Sequence, residues 1–251
     1  GDKNRYRGQG VLTAVNYITT EIAQRVRGMN ALEQSQIDAA LCELDGTENK
    51  SRLGANAILG VSLAICRAAA HSTKKPLYQH IAHLLQKEAR DLSLPMPMFN
   101  IVNGGKHSNS GLSVQEFKVV PLGKSEYREQ LRAGSEIFHS LADILDASGF
   151  QTSVGDEGGF APKLKSHEQQ LEMISDAIHR AGYRRGEDIF LDLDVAAQSF
   201  YDAEKKMYTL MPEGITISSD DLVSLYERWI DRYDIISIED GLHEEDWSGW
   251  A

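Results

Sequence analysis

Cysteine and positive charge are both scarce in this chain, and each scarcity excludes something. Only Cys42 and Cys66 occur in 251 residues. Their flanks, Ala-Leu-Cys-Glu-Leu and Ala-Ile-Cys-Arg-Ala, read as helix positions. That excludes a disulfide framework and a clustered thiolate metal site, and predicts two buried, reduced thiols in a cytoplasmic protein. Lys and Arg number 26 against 37 Asp and Glu, a formal charge of −11 at pH 7. Such a chain lacks the cationic face that releases counterions from a phosphate backbone, so general nucleic-acid binding is excluded. Long apolar runs are missing too. The most apolar stretch, 55–70, contains Asn56, Ser62 and Arg67 and falls short of the roughly 18 apolar residues expected of a membrane span. It predicts a buried helix, not a span. The sequence shows no low-complexity segment, short repeat or signal-peptide pattern. It opens on Gly1-Asp2-Lys3 without methionine and stops at Trp247-Ser248-Gly249-Trp250-Ala251, so both natural ends are expected to be missing.

What is present changes texture part-way along. Val11, Val15, Ile18, Ile22 and Val26 recur at helical steps before Gly28, predicting a helix with one apolar face. Asn30 with Glu33 resembles a capping box, and Ile37, Leu41 and Leu44 form a stripe that Gly46 ends. A third helix is expected over 55–72 and a fourth from Pro76. Two prolines in Leu94-Pro95-Met96-Pro97 then mark a domain boundary near residue 93. Strands are predicted over 98–102 and 114–120 with no long helix between them. A helix over 125–147 carries Leu131, Phe138, Leu141 and Leu145, and Ser166 with Gln169 caps another that Gly182 closes. Strand 189–194, a helix opened by Ser218 and Asp221 with Leu222, Leu225, Tyr226 and Trp229, and strand 235–240 follow. The alternation predicts a parallel α/β fold.

Three acidic clusters lie at or just beyond element ends: Asp156-Glu157, inside Ser153-Val154-Gly155-Asp156-Glu157-Gly158-Gly159-Phe160, then Asp192 with Asp194, and Glu239-Asp240. In a parallel barrel, strand ends share the face where catalytic residues gather. Carboxylates converging there repel one another unless a cation or a proton relieves them, and an all-oxygen set suits Mg2+ or Mn2+ better than zinc. Each piece also has a plainer reading. Asn103-Gly104-Gly105 reads equally as a turn, Asp192 or Asp194 as a solvated edge-strand acid, Glu239-Asp240 as a helix-capping pair, and His107 as a surface-loop histidine. The glycine-rich acidic loop is the strongest signal, since glycines let backbone approach a ligand closely.

Taken in order, the segments resemble the enolase family, in its bacterial form. Leu44-Asp45-Gly46-Thr47 and Gly54-Ala55-Asn56-Ala57-Ile58-Leu59-Gly60 are similar to its helical N-terminal domain. Asn103-Gly104-Gly105-Lys106-His107, Gln115-Glu116-Phe117, Gly155-Asp156-Glu157-Gly158-Gly159 and Ser237-Ile238-Glu239-Asp240-Gly241 are similar to its active-site strands and loops. The resemblance implies residues 1–92 as the helical part of an α+β N-terminal domain and 93–251 as the first half of a β/α (TIM-like) barrel, an α/β fold overall. It further implies reversible dehydration of 2-phosphoglycerate to phosphoenolpyruvate in glycolysis with two Mg2+ ions per complete site, in a cytoplasmic homodimer or larger assembly of dimers. By motif, Glu157 is the general acid acting on the leaving hydroxyl, Glu116 assists it, His107 and Gln115 contact substrate, and Asp194 and Glu239 are metal ligands. Asp192 is then a bystander.

Two departures stand out: Lys118 where the family usually has methionine, and Ser199 where it usually has glutamate. The third metal carboxylate, the catalytic lysine and the phosphate-holding residues of the family are not matched in this sequence. The isolated chain is therefore expected to have little or no activity. Competing readings are a binding role, in an RNA-degrading assembly or as a surface receptor, and another acid-sugar dehydratase of the superfamily. The Gly-Asp-Glu-Gly-Gly loop and the long helical segment favour enolase proper over the dehydratase, and the binding role ranks second because the sequence offers no lysine-terminated tail to support it.

Overall fold

The structure, a computed structural model, describes residues 2–88, 90 and 92–251, with the His107 side chain outside that set. It consists of two compact units that part between Ser93 and Leu94.

The first unit is helical. Helix α1 (Leu12–Tyr17) runs through a π-helical stretch (Ile18–Ile22) into α2 (Ala23–Val26), followed by α3 (Gln34–Asp45), α4 (Ala55–Ser72) and α5 (Leu77–Leu84). Its core is Ile22, Ile37, Leu41, Leu53, Ala57 and Ile58, and no strand occurs among its described residues. The first predicted face is only half right: Ile22 is fully buried, but Val11 and Val15 are exposed. The wider π turns rotate the residues on either side out of one straight stripe. Asn30 does not form the expected capping box either. Its Oδ1 accepts from the Leu32 N–H at 3.1 Å, a local turn that competes with helix entry, and α3 begins at Gln34 without a side-chain cap. Gly46 ends α3 at φ +71° as expected. Cys66 is buried, whereas Cys42 is exposed, because α3 turns Ile37, Ala40 and Leu41 inward instead. Among the described residues, no helix is long and apolar enough to cross a membrane.

The second unit holds β1 (Phe99–Asn103), β2 (Glu116–Val120), α6 (Tyr127–Ala147), α7 (His167–Arg180), β3 (Phe190–Asp194), β4 (Tyr201–Asp202), β5 (Met207–Leu210), β6 (Ile215–Ile217), α8 (Ser219–Tyr233), β7 (Ile235–Glu239) and α9 (Trp247–Trp250). Its main sheet has the order β1-β2-β3-β7. The β1/β2 and β2/β3 pairs are antiparallel and only β3/β7 is parallel, so the expected parallel alternation starts at β3. The cause is connectivity. A short link reverses the chain from β1 to β2, and two helices in succession, α6 and α7, return it to β3 reversed again; only α8 makes a single-helix crossover. The small antiparallel sheet β4-β5-β6 was not anticipated, its strands being too short to show a period.

Helix α6 buries Ile137, Leu141 and Leu145 against the sheet, while Leu131 is exposed, contrary to expectation. Helix α7 begins as predicted, with Ser166 Oγ accepting from the Gln169 N–H at 3.0 Å. Helix α8 has a complete Ser218/Asp221 capping box and buries Leu222, Leu225, Tyr226 and Trp229. Fully burying one such apolar side chain contributes about 1.5–3 kcal/mol, so these faces fix the helices on the sheet and the sheet's end in space.

Candidate active site

Strand register gathers the predicted acids. Asn103 pairs with Glu116, Glu116 with Asp194, and Asp194 with Glu239, so one residue from each of the four strands stands in a row across one end of the sheet. Side chains two apart on a strand share a face. A second row therefore lies behind the first on the same face, in which Lys118 pairs with Asp192 and Asp192 with Ser237. Glu116 enters the row from the start of its strand, not its end, because β2 runs antiparallel to its neighbours.

The acidic loop is tied to β1. The Asn103 N–H donates to the Phe160 carbonyl at 2.8 Å and the Phe160 N–H to the Ile101 carbonyl at 3.0 Å. This approach needs glycine. A Cβ on Gly159 would lie 2.7 Å from the Val102 backbone nitrogen, and one on Gly155 would lie 2.9 Å from the Asn103 Cβ. Fully buried Asn103 organises the join: its Oδ1 accepts from the Gly159 N–H at 2.7 Å, and its Nδ2 donates to Glu157 Oε2 at 2.7 Å. Gln115 Nε2 donates to the other oxygen, Oε1, at 3.3 Å. The exposed Glu157 carboxyl is thus oriented by two amides, one from β1 and one from the residue just before β2.

The adjoining turn is equally constrained. The Gly104 N–H donates to the Gln115 carbonyl at 2.6 Å, and a Cβ there would collide with the Val114 carbonyl oxygen. The turn reading of Asn103-Gly104-Gly105 and the ligand reading are therefore compatible, since the turn is what delivers Asn103 to the loop. His107 closes this turn in its backbone, and its side chain lies outside the described residues. A polar cavity of about 310 Å³ opens beside the loop, lined by Lys106, Ser108, Gln151, Ser153, Asp156 and Lys163 among others.

Behind the front row sits a charge network that sequence reasoning missed. Lys118 Nζ lies 3.2 Å from Glu116 Oε2, 3.2 Å from Asp192 Oδ1 and 3.1 Å from Glu239 Oε2. Burial alone would lower the Lys118 pKa, but hydrogen bonds and charge from Glu239, Asp192 and Glu116 outweigh it and raise it above the ordinary lysine value. Asp192 is 3 % exposed and also accepts from the Ser237 hydroxyl, so it is an anchor of the network and no bystander in position. The signal available in the sequence was period two: 116 with 118, 192 with 194, and 237 with 239 each had to share a face.

Asp194 Oδ1, like Asp192 Oδ1, is buried without a hydrogen-bond partner, but Asp192 has the Lys118 ammonium at 3.2 Å whereas Asp194 has no ion-pair contact among the described residues. Desolvation, then the charge of Glu239, raise its pKa above the ordinary carboxylate value, with Lys118 opposing. A buried, unpartnered carboxylate oxygen beside a second carboxylate is what a divalent cation satisfies, so Asp194 and Glu239 fit as two oxygen ligands for Mg2+. Among the described residues, however, no group of three or more His, Cys, Asp or Glu side chains is arranged to hold a metal ion.

Two family models match the chain. The family model described as the enolase N-terminal domain matches residues 1–81, and the one described as the enolase C-terminal TIM barrel domain matches residues 91–251. The second match alone covers more than half of the chain, and the two follow in the family's own order: the chain belongs to the enolase family.

Proposed function

We propose that this chain carries the acid and metal-ligand half of a phosphopyruvate hydratase site, which interconverts 2-phosphoglycerate and phosphoenolpyruvate. The observation that carries the reading is the row Glu116–Asp194–Glu239 set by strand register, with Glu157 held beside it by Asn103 and Gln115. In this reading Asp194 and Glu239 hold Mg2+. Bound there, the ion supplies Lewis-acid stabilisation of the charge that develops when a proton leaves the carbon beside the substrate carboxylate. Glu157 gives a proton to the departing hydroxyl, and Glu116, one strand over, assists it. Gln115 and His107 contact substrate.

Enolase-superfamily sites use a Lys or His base with Mg2+. Lys118 is poorly suited to that role, because three carboxylates hold it protonated. We therefore expect little turnover from these 251 residues alone. Glycolytic, cytoplasmic, bacterial-type and dimeric character belongs to the same proposal and stands or falls with it. The test joins residues 94–251 to the remaining strands of an active enolase barrel and follows phosphoenolpyruvate by ultraviolet absorbance. Product formation that Glu157→Gln abolishes supports the reading; dehydration of sugar acids in place of 2-phosphoglycerate would replace it with the acid-sugar dehydratase alternative.

A further inference from the structure

We propose that Lys118 is a built-in cation for the carboxylate end of the sheet, so that this chain folds without a metal ion and takes up Mg2+ only by displacing an ammonium group from Glu239 and Glu116. The inference rests on the reading above for Asp194 and Glu239 as ligands and goes beyond it in naming what competes with the metal.

The geometry supports this in three ways. First, three carboxylates from β2, β3 and β7 lie within 3.2 Å of the ammonium, which donates a hydrogen bond to Glu239, so its charge is shared among all three. Second, the Lys118 side chain is only 11 % exposed and its partner Asp192 is 3 % exposed, so water screens this pair weakly and the lysine is held in place from below. Third, one of its partners, Glu239, is itself a ligand candidate and makes its Lys118 contact at 3.1 Å. A carboxylate oxygen satisfied by an ammonium binds a divalent ion less tightly, because the two cations repel and the lysine must move. Asp194, which Lys118 does not touch among the contacts described, keeps its unpartnered oxygen. One cation therefore compensates Glu116, Asp192 and Glu239, and a divalent ion finds a single carboxylate ready.

The experiment titrates the chain, Lys118→Met and Lys118→Arg with Mg2+ by calorimetry, and records thermal unfolding of each in EDTA and in Mg2+. The expected result is weak binding and a metal-independent midpoint for the chain and for Lys118→Arg. Lys118→Met should bind at least about tenfold more tightly, about 1.4 kcal/mol, with a midpoint that falls in EDTA and recovers in Mg2+. Tight binding by the unaltered chain overturns the proposal. So does a Met variant that gains no affinity, or one that stays unfolded when Mg2+ is supplied. Because the readouts are affinity and folding, failure of the dehydration assay is a separate outcome.

Discussion

At the scale of single residues, the site is organised by groups that do no chemistry themselves. Asn103 joins β1 to the acidic loop through both ends of its amide. Replacing it by Leu leaves the Gly159 N–H without its acceptor, and an unsatisfied buried donor costs about 1–3 kcal/mol. Urea unfolding of Asn103→Leu should show that loss, and an unchanged midpoint would mean that the loop is held by its backbone bonds alone. Gly159→Ala should be destabilised as well, by about 1–3 kcal/mol, since its new Cβ meets the Val102 backbone; a neutral result in the same assay would place the loop further from β1. Away from the site, the Asp188 carboxyl is drawn from 3.8 down to about 2, first by the Arg184 N–H and then by the Lys124 and Arg184 side chains. A folded value below the unfolded one means stabilisation that is present above about pH 4 and fades as the pH falls toward 2. The stability gap between the chain and Asp188→Asn should therefore be constant at neutral pH and close across that window. A gap that widens on acidification would reverse the sign.

At the scale of elements, local signals were legible and non-local ones were not. Helices α7 and α8 begin where Ser166 and Ser218 indicated, because a cap is decided within a few residues. Ser218→Ala should lower stability by about 1 kcal/mol, measurable as a shifted denaturation midpoint; no shift would mean that packing by Trp229 and its neighbours alone sets the start of α8. Asn30 misled because the same side chain serves a cap or a turn, and only the surrounding packing decides between them. The direction of β2 depends on how many helices intervene before β3, and β4 to β6 are too short to reveal a period. Glu157, Glu116, Asp194 and Glu239 were named from motif, and the register sets three of them in one row. The partnership of Lys118 with Glu239, 121 residues apart, required that register. In the sequence Lys118 was only a change of local charge.

At the scale of the whole molecule, a chain with a formal charge of −11 gathers acids at one sheet end and compensates three of them with a single lysine. The family supplies the fold, and Lys118 supplies the internal cation. The proposed role for the end of this sheet, with Glu157 beside it, is the acid and metal-binding half of 2-phosphoglycerate dehydration. Its most direct test is the ultraviolet assay on residues 94–251 completed by the remaining strands of an active enolase barrel, run alongside the Glu157→Gln variant. Phosphoenolpyruvate is expected from the first and a loss of roughly a hundredfold or more in the second, in line with removal of a positioned acid. A folded hybrid that forms no product, or a Glu157→Gln variant as active as its parent, would contradict it.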